Sequence, residues 1–173
     1  MPIPTDESTR AVLRHLVASL AYRAAKVLRG VPPEFATFSS APSTRRPVQI
    51  VAHLADLMMW AQSLTRGESV WKAGGSDRWE VEVERFFTAL AALDALLTNT
   101  PPRDGTVEQL VQGPLADALT HVGQLALLRN VAGAAIRPEN YARAQVSVGS
   151  VGPEQAPPVR EFDGDASSPR EVR

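Results

Sequence analysis

The chain has 173 residues, a formal net charge of −1 and no cysteine. This length is enough for one domain with a core of its own. Without cysteine, disulfides, cysteine-type zinc sites and a protein thiol nucleophile are excluded. The charges are balanced and form no block of one sign, so we expect neither a nucleic-acid nor a membrane partner.

The N-terminal residues, MPIPTDESTR, include acidic residues and no apolar stretch, so we expect no signal peptide. No apolar run in the sequence is long enough to cross a bilayer. A cytoplasmic location is therefore the expectation.

Four amphipathic segments predict an all-α fold. Helices are predicted over residues 5–29, 47–65, 77–98 and 113–133, because apolar residues recur in each at helical spacing. Proline and glycine stand between these segments, where they end helices. No convincing strand is present, so the pattern favours a four-helix bundle.

The C-terminal part of the chain has no lasting helical period. We therefore predict a bundle over residues 1–145 and a tail over 146–173 that is extended or partly disordered. The tail is expected to lie along the bundle to about Phe162. Val146 and Val148 alternate with small polar residues, which indicates a brief extended segment there.

Two long connections join the predicted helices. Residues 31–46 form a proline-containing loop that Phe35 and Phe38 are expected to pin to the bundle. Long loops in compact domains often border a functional site. Residues 66–76 are rich in glycine but lack the lysine of a phosphate-binding loop, so we interpret them as a plain connection.

One histidine interrupts the apolar stripe of the second predicted helix. His53 stands at the spacing of Ile50, Leu57, Trp60 and Leu64, where a leucine would pack better. A residue that conflicts locally with its surroundings is typical of a functional position.

The fourth predicted helix carries a pair of polar residues on one face. Pro114 is expected just inside its start. Asp117 and His121 follow four residues apart, one helical turn above each other. A carboxylate and an imidazole in this arrangement can bind one metal ion together.

If His53 lies near Asp117 and His121, two imidazoles and one carboxylate form a metal site. Three protein ligands leave positions open for water or substrate, which is typical of a catalytic site. The ligand types fit Zn²⁺ and also Fe²⁺, Ni²⁺ or Mn²⁺. Asp56, three residues after His53, is either a further ligand or hydrogen-bond acceptor, or an acid that faces solvent.

Each of these residues also has a structural interpretation. A histidine on an apolar helix face is often a core residue bonded to a backbone carbonyl, and an aspartate often faces solvent. Together, however, a buried histidine and aspartate cost several kcal/mol when unpaired, and a divalent cation would satisfy both.

Three further residues are candidates for lining a substrate pocket. Gln124 lies three residues after His121 on the same side of the helix, and Arg129 lies two turns after it. Arg129 can bind a substrate carboxylate or, alternatively, face solvent at the helix end. Trp60 can form a pocket wall or belong to the core.

The segments IVAHLADLMMW and GPLADALTHVGQLALLRNVAG resemble the DinB-like superfamily, also called YfiT-like metal-dependent enzymes, over about residues 5–145. The resemblance implies a four-helix bundle that is often a homodimer and binds Zn or Ni through three histidines. It assigns His53 and His121 to two of these ligands. The third family histidine falls on Asp117, which can still bind a metal with an altered preference, or which marks a scaffold that lost its metal.

Three functions remain open at this point. Members of the superfamily include thiol S-transferases that use bacillithiol and an isomerase that uses mycothiol. The first hypothesis is thus an enzyme that presents an external low-molecular-weight thiol to an electrophile, or that hydrolyses a small substrate. The second is a non-catalytic, stress-related dimer that binds metal, and the third is a metal-free bundle whose polar residues bond to one another.

Overall fold

The computed structural model describes residues 3–162. Its five α-helices are α1 (Glu7–Leu28), α2 (Pro47–Thr65), α3 (Trp79–Asn99), α4 (Val107–Leu110) and α5 (Ala116–Val131). Within residues 3–162 the only β pairing is an isolated bridge between Glu139 and Glu161. The prediction of an all-α fold with four long helices is confirmed.

The helix ends follow local capping chemistry. The Asp6 side chain accepts a hydrogen bond from the Thr9 amide at the start of α1. Pro47 opens α2, where its missing N–H costs nothing. The observed limits of α2 are the predicted ones. The observed limits of α1 and α3 lie within about two residues of those predicted.

A kinked turn precedes the fourth long helix. Val111–Leu115 joins α4 to α5, and the kink lies at Gly113. Helical geometry resumes directly after it, at Pro114, where the helix start was predicted. Gly113 departs from helical geometry, with φ −89° and ψ −106°, and the Trp60 ring of α2 packs against it.

The four long helices surround one apolar core. α2 packs most extensively on α3 and also contacts α5, while α1 contacts both α3 and α5. The largest fully buried side chains come from all four elements and from the first loop: Leu13, Leu20, Phe35, Leu54, Leu57, Phe86, Leu90 and Leu93, with Leu125 also inaccessible. Phe35 and the partly buried Phe38 hold the first loop against this core, as predicted.

The segment after α5 packs along α1. The Glu139 carboxylate accepts hydrogen bonds from the Tyr22 hydroxyl and the Lys26 ammonium, both at 2.7 Å. The predicted extended segment at Val146 and Val148 forms no strand. The predicted disorder beyond Phe162 falls outside the described residues.

None of the helices within residues 3–162 combines the length and the apolar character that a membrane span requires.

Candidate metal centre

The site lies between α2 and α5. His53 is in the second turn of α2, with its side chain 18% exposed. Asp117 and His121 lie in the first two turns of α5, directly after the kinked turn, with side chains 43% and 11% exposed. The structure brings all three predicted metal ligands together.

The distances between these groups suit one cation. His53 Nε2 lies 3.3 Å from Asp117 Oδ2, and His121 Nε2 lies 3.4 Å from Asp117 Oδ1. One ligand atom from each residue lies within 4.8 Å of the other two. Ligands about 2.1 Å from a tetrahedral ion are about 3.4 Å apart. The donor set therefore fits a divalent metal with movements of less than about 1 Å.

The two imidazoles contact each other directly. Their ring centroids are 4.7 Å apart and their planes are nearly perpendicular, at 89°. Burial lowers the pKa of His53, and the charges of His121 and Arg45 lower it further, whereas the hydrogen bond and the charge of Asp117 act in the opposite direction. The lowered pKa favours the neutral imidazole, which is the form that binds metals.

Gln124 fixes the orientation of His121. The Nδ1 atom of His121 donates to Gln124 Oε1 at 2.8 Å. A proton on Nδ1 leaves the lone pair on Nε2, the atom that faces Asp117. Gln124, predicted as a pocket residue, thus positions the imidazole of His121, and its predicted contact with a substrate stays a prediction.

A pair of tryptophans covers the other side of His53. Trp71 packs edge-on against His53, with 5.6 Å between the ring centroids. Trp60 packs against Trp71, with 5.9 Å between their ring centroids. Trp60 therefore supports the site through Trp71, and its predicted contact with a substrate stays a prediction. Trp71 was missed because it belongs to an irregular loop with no periodicity.

The loop that carries Trp71 is more than a plain connection. Its Gly74 amide donates to Asp56 Oδ2 at 3.1 Å, and its Ser76 hydroxyl donates to Glu82 at 2.9 Å. Arg85 bridges the two carboxylates, at 2.7 Å from Asp56 and 2.8 Å from Glu82. The ion pairs thus join α2 to α3, and the hydrogen bonds from Gly74 and Ser76 hold the loop on the two carboxylates.

Asp56 is therefore neither a metal ligand nor an acid that faces solvent. Its side chain is 5% exposed, and Arg85 and the Gly74 amide occupy its oxygens. Asp56 lies about one helical turn after His53 on α2, where it accepts the hydrogen bond of the Gly74 amide and so anchors the loop that carries Trp71.

Arg129 does not reach the site. It is only 6% exposed, which contradicts the solvent-facing interpretation. Its guanidinium donates to the carbonyls of Val27, Arg29 and Ala134 at 2.8 Å. It therefore caps the C-terminal end of α1 and is not placed to bind a substrate carboxylate beside His53.

An open cleft of about 510 Å³ borders His53. One wall is the first part of α2, with Arg45, Gln49 and His53, and the other is the loop 71–77. The volume is in the range of small-molecule sites. The first long loop borders the site, as expected from its length, because Arg45 is near its end.

The fold and the site define an all-α protein with a group of two histidines and one aspartate that could hold a metal ion. No protein-family profile, curated protein or solved structure matches the chain.

Proposed function

We propose that this protein is a metal-dependent enzyme of the DinB-like class that acts on a small molecule. The observation that carries the proposal is the convergence of His53, Asp117 and His121, from two separate helices, at distances of 3.3 and 3.4 Å. Two largely buried imidazoles and a half-exposed carboxylate lie together here, and a divalent cation is a partner for all three.

The arrangement supports a catalytic role over a structural one. His53, Asp117 and His121 are three protein ligands, whereas structural zinc sites are closed by four. His53 also borders an open cleft, so a small molecule can reach the site. A bound metal would supply Lewis acidity and lower the pKa of a coordinated water or thiol.

The protein has no cysteine, so a sulfur nucleophile has to come from outside. We propose an external low-molecular-weight thiol as co-substrate. In the transfer, the thiol loses its proton to solvent and its sulfur bonds to an electrophilic carbon, whose leaving group departs with the bonding electrons. Hydrolysis of a small substrate would use the same ligands.

The resemblance to the DinB-like class rests on the order of its ligands along the chain. A histidine in the second long helix and a ligand pair four residues apart in the last one, followed by Gln124, match that class. Asp117 in place of a histidine adds a negative charge, which favours a harder cation such as Fe²⁺ or Mn²⁺ beside Zn²⁺ and Ni²⁺. The homodimer belongs to the same proposal, and light scattering of the purified protein measures it.

Elemental analysis of protein purified without an affinity tag tests the metal site. We expect about one metal ion per chain, and a loss of at least about 100-fold in metal affinity in His53→Ala and in His121→Ala. His15→Ala is the matched control, because His15 is exposed on α1 outside the cluster. Sub-stoichiometric metal that is unchanged in His121→Ala contradicts the proposal and favours a metal-free bundle.

Turnover of a generic electrophile with a panel of small thiols tests catalysis. We expect metal-dependent transfer that His53→Ala and His121→Ala abolish and His15→Ala retains. Stoichiometric metal without turnover of any thiol or hydrolysable substrate favours the non-catalytic, metal-binding scaffold.

A further inference from the structure

The cleft beside the metal ligands extends along α2 away from His53. Gln49 lies one helical turn before His53, and Arg45 lies a further four residues back, in the last part of the first loop. Trp71 lines the cleft beside His53, and the loop 73–77 forms the opposite wall.

The charged side chains that line the cleft are paired, with one exception. Asp56 is paired with Arg85 at 2.7 Å, and Asp77 with Arg46 at 3.0 Å. Arg45 makes no hydrogen bond or ion pair with any residue of the part of the chain that the structure describes. The lining of the cleft therefore carries one positive charge that no carboxylate of the described residues pairs with, and this charge acts on His53.

The cleft thus brings three different groups to one lining. His53 can share a metal ion with a bound molecule, Trp71 offers an aromatic surface beside it, and Arg45 offers a guanidinium. Guanidinium groups bind carboxylates and phosphates with paired hydrogen bonds.

We propose that Arg45 is the anion-binding residue of this cleft, and that the substrate or co-substrate is a small molecule that carries both a metal-binding group and a carboxylate or related anionic group. This inference rests on the proposed metal site. It adds a substrate class and a residue that determines specificity.

Cobalt(II)-loaded protein provides the test, because thiolate binding to cobalt gives a charge-transfer absorption band. The probes are two series of matched chain length, ω-mercaptocarboxylates and ω-mercaptoalcohols, so that each pair differs only in its terminal group. At the best chain length we expect the carboxylate to bind about tenfold more tightly than the alcohol, because a charge-assisted hydrogen bond forms only with the carboxylate.

Arg45→Gln is expected to abolish this preference while leaving the affinity for the alcohols unchanged. Arg66→Gln is the matched control, since Arg66 follows the opposite end of α2 and the substitution removes the same charge. Arg66→Gln is expected to keep the tenfold preference at equal ionic strength.

The outcomes separate this inference from the proposed function. Cobalt bound at His53, Asp117 and His121 with equal affinity for acids and alcohols overturns the role of Arg45 and leaves the metal site standing. A preference that persists in Arg45→Gln, or that Arg66→Gln removes equally, overturns it as well. Failure of the wild-type protein to bind cobalt overturns the proposed function, and the inference with it.

Discussion

Two polar clusters in this protein differ in how their charges are balanced. In one, the Glu139 carboxylate is completely buried and accepts hydrogen bonds from Tyr22 and Lys26. In the other, the Asp117 carboxylate is 43% exposed and faces the imidazoles of His53 and His121. The first contains its own cation, whereas the second is an anion beside two groups that bind metals when neutral.

The difference shows that burial of polar groups does not by itself identify a site. The Glu139 cluster supplies every donor that its carboxylate needs, so it joins the C-terminal segment to α1 and has a structural role. The Asp117 cluster is rich in acceptors that converge on one point, so it remains able to bind an external cation. Asp56, Glu82 and Arg85 form a second self-contained cluster, which holds the cleft wall.

Glu139→Gln gives the largest expected effect on stability. The substitution removes a buried charge and leaves Lys26 paired with the more exposed Glu161. Weakened charge-assisted hydrogen bonds cost about 2–3 kcal/mol in the free energy of unfolding. Urea denaturation of the metal-free protein measures this loss. Metal affinity is expected to remain unchanged, and a parallel loss of metal binding would mean that the two clusters are not independent.

Glu82→Gln is expected to destabilise the protein in a pH-dependent way. Burial acts to raise the pKa of Glu82, but hydrogen bonds from Arg85 and Ser76 outweigh it, so the pKa lies below its ordinary value of 4.5. A lowered pKa means stability that is fully present above pH 4.5 and is lost as the pH falls through the folded-state pKa.

The difference in unfolding free energy between wild type and Glu82→Gln is therefore expected to be about 1–2 kcal/mol at pH 7 and to shrink below pH 4.5. Denaturation curves from pH 7 to pH 3 measure it. A difference that stays constant over this range would show that the Glu82 charge does not contribute.

Gln124→Leu is expected to weaken metal binding about tenfold, because it removes the oxygen that holds the Nδ1 proton of His121. Gln124→Glu, which keeps an acceptor at this position, is expected to retain or increase the affinity. Isothermal titration with Zn²⁺ compares the three proteins. If Gln124→Leu and wild type bind Zn²⁺ with equal affinity, Gln124 has no role in metal binding.

The smallest expected effects distinguish two glycines of the same helical run. A Cβ at Gly113 would lie 3.1 Å from the Trp60 ring, so Gly113→Ala should displace the ring and cost about 1 kcal/mol. A Cβ at Gly123 meets nothing within 4 Å, so Gly123→Ala should stabilise the helix by about 0.5–1 kcal/mol. Thermal unfolding compares them, and equal effects would contradict a role for the Gly113–Trp60 contact.

The helices and the candidate metal ligands could be predicted because both depend on helical periodicity. The stripe on α2 identified His53 as the exception, and the four-residue spacing placed Asp117 and His121 on one face. Their convergence within 4.8 Å depends on how α2 and α5 pack, which no local pattern determines.

The cleft could not be predicted in the same way. Trp71 and Arg45 belong to irregular loops, whose positions are set by contacts with residues distant in sequence. Hydrogen bonds from Gly74 and Ser76 to the carboxylates of Asp56 and Glu82 fix one loop, and the burial of Phe35 fixes the other. The role of Arg129 was not predicted, because helical spacing does not show that the backbone carbonyls of Val27 and Arg29, at the end of α1, lie beside it.

Anomalous diffraction from crystals grown with one equivalent of Zn²⁺ tests the central claim most directly. The account predicts a single peak about 2.0–2.2 Å from one imidazole nitrogen each of His53 and His121 and from an Asp117 carboxylate oxygen. A peak at another place, or none between these three side chains at full zinc occupancy in solution, would contradict it.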